Sequence, residues 1–123
     1  MRAASLKQIA AEYDSLPRDP DELMELPGVG PYVANATVCF ACGEALPVLD
    51  RNVKRIYGRV FGARWPDTPS DQEAFAHDLL PEDEARTYNL ALLDFGAAVC
   101  TGDPRCEICF APEYCTYYAA ARR

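Results

Sequence analysis

Histidine is almost absent: the 123-residue chain holds one, His77. It sits in the acidic Ser70–Leu80 helix and reads as a surface residue, so no Ser-His-Asp or Cys-His relay is convincingly built around it. Lysine is nearly as scarce, with Lys7 and Lys54 against ten arginines. Long apolar runs are missing too. No segment approaches the roughly 20 apolar residues that a membrane span needs. No basic stretch followed by an apolar run marks a secretory signal. A chain lacking both reads as cytoplasmic. Strand-period alternation of useful length is also absent, as are internal repeats, so the expected class is all-α.

What is present suits a globular domain: 50% hydrophobic and 25% charged residues. Size scaling gives a folded surface of about 6,600 Å² and burial of about two-thirds of the unfolded surface. The formal charge is −7, which taken alone argues against binding a polyanion. Its distribution argues otherwise. Residues 51–66 hold five cations, Arg51, Lys54, Arg55, Arg59 and Arg64, and no acid. The other 107 residues hold the remaining seven cations and all 19 acids. Few lysines on an acid-rich chain also suggest a high-salt cytoplasm.

Local patterns place the elements. Leu6, Ile9, Ala10 and Tyr13 share one face of a helix over about residues 4–14. Asp19 precedes Pro20 as an N-cap, with Glu22 completing a capping box. After the turn Leu26-Pro27-Gly28-Val29-Gly30, Pro31 opens a helix that Gly43 ends. Asp50 caps a helix striped by Val53, Ile56, Tyr57 and Val60 and closed by Gly62. Ser70 and Glu73 form a second capping box for a helix to about Leu80, and a last helix runs from about Asp83 to Val99. Residues 1–99 form the helical domain, 100–115 a cysteine loop and 116–123 a tail.

Two local features carry chemistry. A glycine turn feeding a helix N-terminus leaves room for a phosphate and presents a positive dipole end, with Val29 pinning the turn to the core. Four of the six cysteines, Cys100, Cys106, Cys109 and Cys115, fall in one short loop. In a chain without a secretory signal they suggest a metal site rather than disulfides. Cys39 and Cys42 lie inside a helix and read as small packing residues.

The run from Leu26 to Ala34, followed by Pro47 to Arg55, resembles the helix-hairpin-helix DNA glycosylases: endonuclease III, the adenine glycosylase MutY and the archaeal thymine/uracil mismatch enzymes. Several expectations follow from that resemblance. Leu26, Pro27, Gly28, Val29 and Gly30 hold a DNA backbone phosphate, with a monovalent cation at the hairpin. Lys54 and Arg55 add phosphate contacts. Asp50 is the catalytic carboxylate, stabilising an oxocarbenium-like sugar. Tyr32 stands where bifunctional members carry a Schiff-base lysine, which implies a monofunctional enzyme. The four clustered cysteines hold a [4Fe–4S] cluster, with four-cysteine zinc as the alternative. The first cysteine gap is one residue shorter than the family's usual one. The implied activity is excision of a mispaired or damaged base, A or T/U opposite G or 8-oxoguanine, from double-stranded DNA in the nucleoid. The alternative is a noncatalytic DNA-binding iron–sulfur fragment. Family enzymes carry further helices upstream of the matching segment. The resemblance therefore covers a C-terminal part, which reads as a truncated gene, a fragment, or one half of a split enzyme whose missing portion another chain supplies.

Overall fold

The computed structural model describes residues 2–121. All regular structure among them is helical. The helices are α1 (Ala3–Glu12), α2 (Pro20–Leu23), α3 (Pro31–Cys42), α4 (Arg51–Phe61), α5 (Pro69–Leu79), α6 (Ala85–Ala98) and α7 (Thr116–Ala121). Single 3₁₀ turns cover Gly62–Arg64, Glu82–Glu84, Cys106–Ile108 and Pro112–Tyr114.

Caps explain most boundaries. The Asp19 carboxylate accepts from the Asp21 and Glu22 amides, and Pro20 supplies the first helical position. Gly43 ends α3 at φ 78°, a left-handed cap that a Cβ would oppose. Helix α5 departs from the sequence reading. Its cap is Thr68, whose hydroxyl accepts from the Asp71 amide at 3.3 Å; Ser70 lies inside the helix. Pro69 decides this, because a proline at the first helical position makes the preceding residue the cap. Glu73 accordingly completes no box and accepts from Asn35 Nδ2 at 3.3 Å. The expected tail is a helix as far as Ala121; residues 122 and 123 lie outside the described residues.

The core forms a chain of three apolar clusters. Ile9, Leu23, Leu26, Ala34 and Val38 join α1, α2 and α3. Cys39, Val48, Leu80 and Ala85 carry the core to α6. Val53, Tyr57 and Ala76 unite α4 and α5. Leu46 packs against both of the first two clusters and Leu93 against both of the last two. At the α4–α5 end, Tyr57 stacks on Trp65 at 5.1 Å, and Phe75 meets Trp65 and Phe61 edge-on at 5.4 and 5.0 Å. Helices α4 and α6 approach closely at Gly96, where an added Cβ would lie 3.0 Å from the Asn52 Cβ.

The total accessible surface is 8117 Å², well above the roughly 6,600 Å² that scaling gives for this mass. The excess includes an open apolar cavity of about 530 Å³ between α4, α6, the cysteine loop and α7. No helix among the described residues is long and apolar enough to cross a membrane.

Candidate functional site: a glycine hairpin, a capped aspartate and a cysteine loop

The hairpin between α2 and α3 follows its sequence closely. Leu26 is buried in the first cluster and Val29 packs against it, so these two side chains anchor the turn. The Leu26 carbonyl accepts from the Val29 amide at 3.3 Å. Only Gly28 takes the left-handed conformation, at φ 78°. Gly30 is extended, at φ −100° and ψ −176°, a backbone open to any residue. A Cβ on Gly30 would meet nothing within 4 Å. Nothing inside the protein therefore requires glycine there. No side chain caps α3, and its first turn holds no acid, which leaves an uncompensated positive helix end beside exposed Gly30. Tyr32 sits in that first turn, 37% exposed.

Between α3 and α4 the chain runs as a connector without regular structure, yet Pro47 and Val48 are buried. Its backbone groups therefore need partners. Two buried asparagines supply them. Asn35 of α3 donates to the Pro47 carbonyl at 3.0 Å. Asn89 of α6 accepts from the Val48 amide at 3.4 Å and donates to the Leu46 carbonyl at 2.8 Å. The connector delivers Asp50 to the start of α4, where Oδ1 accepts from the Val53 amide at 2.7 Å. The sequence reading of Asp50 as an N-cap is what the geometry has. The two asparagines were missed, because a polar residue on a helix face reads as solvent-exposed until its partners are known.

Helix α4 corrects one expectation. Arg55 was read as a phosphate contact, but its guanidinium is turned to α6 and the cysteine loop. It donates to the Gly96 carbonyl at 2.9 Å, to the Cys100 carbonyl at 2.8 and 3.1 Å, and to Asn52 Oδ1 at 2.9 Å. It thereby satisfies carbonyls at the α6 C-terminus, where a cation is favoured. Arg59 behaves alike, donating to the Thr101 carbonyl, to the Gly102 carbonyl at 3.0 Å and to Cys100 Sγ at 3.3 Å. Arg51, exposed, and Lys54, half-buried, remain near the N-terminus of α4.

All four loop cysteines line the open cavity, together with Phe95, Val99 and Phe110. Burial and the neighbouring thiols push the Cys106 thiol above its ordinary range. Two donors already point at the sulfurs: Arg59 at Cys100, and the Ala111 amide at Cys109 Sγ at 3.4 Å. The Cys115 thiol donates to the Arg59 carbonyl at 3.6 Å. Among the described residues no three Cys, His, Asp or Glu side chains converge on one metal ion. A single zinc would need its sulfurs about 3.8 Å apart, given the 2.3 Å Zn–S bond. Cys39 is buried and packs in the second cluster as expected, whereas Cys42, in the last turn of α3, is exposed and does not pack in the core. His77 is exposed.

A family model described as the helix-hairpin-helix motif matches residues 14–40, the stretch containing the turn. The chain is 38% identical over 136 residues to the thymine/uracil-DNA glycosylase of Pyrobaculum aerophilum, an alignment covering 100% of this chain and 59% of that protein. It is 47% identical over 105 residues to the adenine DNA glycosylase of Mycolicibacterium smegmatis, covering 82% of this chain and 36% of the relative. In three dimensions it is similar to a thermostable thymine-DNA glycosylase, with TM-score 0.83 at 31% identity over 93% of this chain and 55% of that one. A trapped endonuclease III–DNA covalent intermediate gives TM-score 0.82 at 30% identity, over 97% of this chain and 57% of that one. The chain thus spans between about a third and three-fifths of the length of these relatives.

Proposed function

Because the chain belongs to the helix-hairpin-helix DNA glycosylase superfamily, we propose that it forms the DNA-docking and catalytic part of a monofunctional base-excision glycosylase. The observation that carries this reading is the seat of Asp50. The carboxylate is held by one oxygen at a helix N-terminus, at the end of a connector tied to both α3 and α6. A fixed carboxylate beneath a deoxyribose stabilises the positive charge that grows as the N-glycosidic bond breaks. At about 4 Å and an effective dielectric near 20 the attraction is of order 4 kcal/mol, about a thousandfold in rate.

The hairpin receives a backbone phosphate at Gly28 and Gly30. The open space over Gly30 and the uncapped, acid-free start of α3 support this. A monovalent cation at the same turn belongs to the proposal. Arg51 and Lys54 add phosphate contacts. A cation in the first turn of a helix is disfavoured by about 0.3–1 kcal/mol, which suits side chains placed for an external anion. Tyr32 offers no amine for a Schiff base and flanks the pocket for an everted base. Cys100, Cys106, Cys109 and Cys115 would hold a [4Fe–4S] cluster. Their all-thiol donor set, gathered around one open cavity, supports such a group. Such a cluster supplies structural cross-linking and an electron-accepting centre. The substrate is a mispaired or damaged base, A or T/U opposite G or 8-oxoguanine, in cytoplasmic, nucleoid-associated duplex DNA.

The test is excision from G·T, G·U, A·G and A·8-oxoguanine duplexes, read as alkali-labile sites. The wild-type chain is expected to excise a base from at least one duplex, with Asp50→Asn folded but at least a hundredfold slower. Borohydride should trap no covalent adduct. Binding without excision in every duplex would replace this reading with a noncatalytic DNA-binding iron–sulfur module.

A further inference from the structure

Arg59 contacts both ends of the cysteine loop, the first through its side chain and the last through its backbone. Its guanidinium donates to Cys100 Sγ at 3.3 Å and to the Thr101 and Gly102 carbonyls, while its own carbonyl accepts from the Cys115 thiol. Its charged face also lies 5.1 Å from the ring centre of Tyr117 on α7. One turn further on, Gly62 abuts Thr116, where an added Cβ would lie 2.8 Å from Thr116 Cγ2. The first cysteine, the last cysteine and the helix after them are therefore gathered on one residue of α4. All of these contacts are internal to the protein, so the guanidinium is positioned before any metal arrives.

We propose that Arg59 is a positioning and potential-setting residue for the group held by the cysteine loop, acting through the Cys100 sulfur. This rests on the [4Fe–4S] reading above. A bound cluster gains a negative charge on reduction, and that charge is shared with its cysteine sulfurs. A cationic N–H donor on one sulfur stabilises the reduced form and raises the reduction potential. The planar fork is also needed, because it spans a sulfur and two carbonyls. Lysine keeps the charge but not that geometry.

The test compares wild-type protein, Arg59→Gln, Arg59→Lys and Arg64→Gln after anaerobic cluster assembly. Arg64 is the charge control. It is exposed, and its guanidinium lies over the Phe61 ring at 5.4 Å. Iron and sulfide content, visible absorbance, reduction potential by protein-film voltammetry and the rate of iron loss to a chelator are measured. Arg59→Gln is expected to have a more negative potential and to lose iron several-fold faster. Arg59→Lys should fall between it and the wild type, and Arg64→Gln should match the wild type. A potential unchanged in Arg59→Gln, or shifted equally in Arg64→Gln, overturns the proposal. Should neither Arg59 variant load, the far-UV spectrum of the apoproteins decides. Intact helix signal with lost loading supports the role at the loop, and lost helix signal overturns it. Wild-type protein that takes up zinc but no iron–sulfur cluster overturns the cluster reading and the role of Arg59 with it.

Discussion

Asn89 shows what a buried polar side chain does when it has no competitor for its partners. Its amide bridges the Leu46 carbonyl and the Val48 amide in a connector that has no sheet or helix to satisfy it. Replacing Asn89 with alanine strands both groups away from water. Each uncompensated group costs about 1–3 kcal/mol. Asn89→Ala is expected to lower the urea-unfolding free energy by about 2–6 kcal/mol, read from the midpoint at constant slope. Tyr57 gives a second prediction at this scale. Its hydroxyl pairs with that of Tyr88 at 2.8 Å. Burial, then that hydrogen bond and the Tyr88 charge, push its ionisation far above the ordinary tyrosine range. The neutral phenol is favoured in the folded state, so its contribution is full below about pH 10, where the unfolded phenol ionises. It is lost as pH rises beyond that. The urea midpoint should fall above about pH 10, and less steeply in Tyr57→Phe; equal slopes in the two proteins would refute the assignment.

At the scale of elements, the legible parts were those fixed by nearest neighbours. The Asp50 cap, the Gly43 stop, the anchoring of Val29 and the apolar stripe of α4 all depend on residues within one or two turns, and pattern rules cover that range. The Thr68 cap was legible by the same Pro-at-first-position rule that identified Asp19, yet the Ser70–Glu73 spacing competed with it. What pattern could not supply was the aim of long side chains. The α4 stripe says which face goes inward. It does not say that Arg55 and Arg59, at its edge, reach a loop more than 40 residues away. Nor does periodicity reveal Asn35 and Asn89 as buried. At Gly96 the close approach of α4 and α6 makes a sharper prediction. A methyl group there would press on Asn52 Cβ at 3.0 Å and Ile56 Cδ1 at 3.3 Å. Gly96→Ala is therefore expected to lower stability by about 1–3 kcal/mol through overpacking, despite alanine's better helix propensity. A thermal melt higher than the wild type would show that the two helices can separate freely.

The whole molecule combines an acidic sum with an acid-free stretch. Its charge of −7 comes from 19 acids against 12 cations, and two of the five cations in residues 51–66 are turned inward to the cysteine loop. The outward face of α4 is consequently less basic than the residue count implies. Self-repulsion among the remaining acids is screened by salt, with a Debye length falling from about 10 Å at 0.1 M to about 3 Å at 1 M. The melting temperature is expected to rise between those KCl concentrations, and a fall would reject the high-salt reading of the composition. The surface of 8117 Å² and the open apolar cavity add a second whole-molecule property, apolar area left facing water. The glycosylase resemblance was legible in two short motifs and their order. The open cavity was not, because it is made by residues from α4, α6, the cysteine loop and α7 that no local pattern brings together.

The asparagine clamp also sets an order of events during synthesis. Asn89 reaches its connector partners across 41 and 43 residues, and the C-terminal carbonyls that Arg55 holds lie 41 and 45 residues downstream. The segment leading to Asp50 therefore emerges from the ribosome long before these downstream partners. Its Asn35 tie and the Asp50 cap can form from residues already made, whereas the Asn89 ties wait for α6, so the connector that aims the carboxylate is secured in two stages.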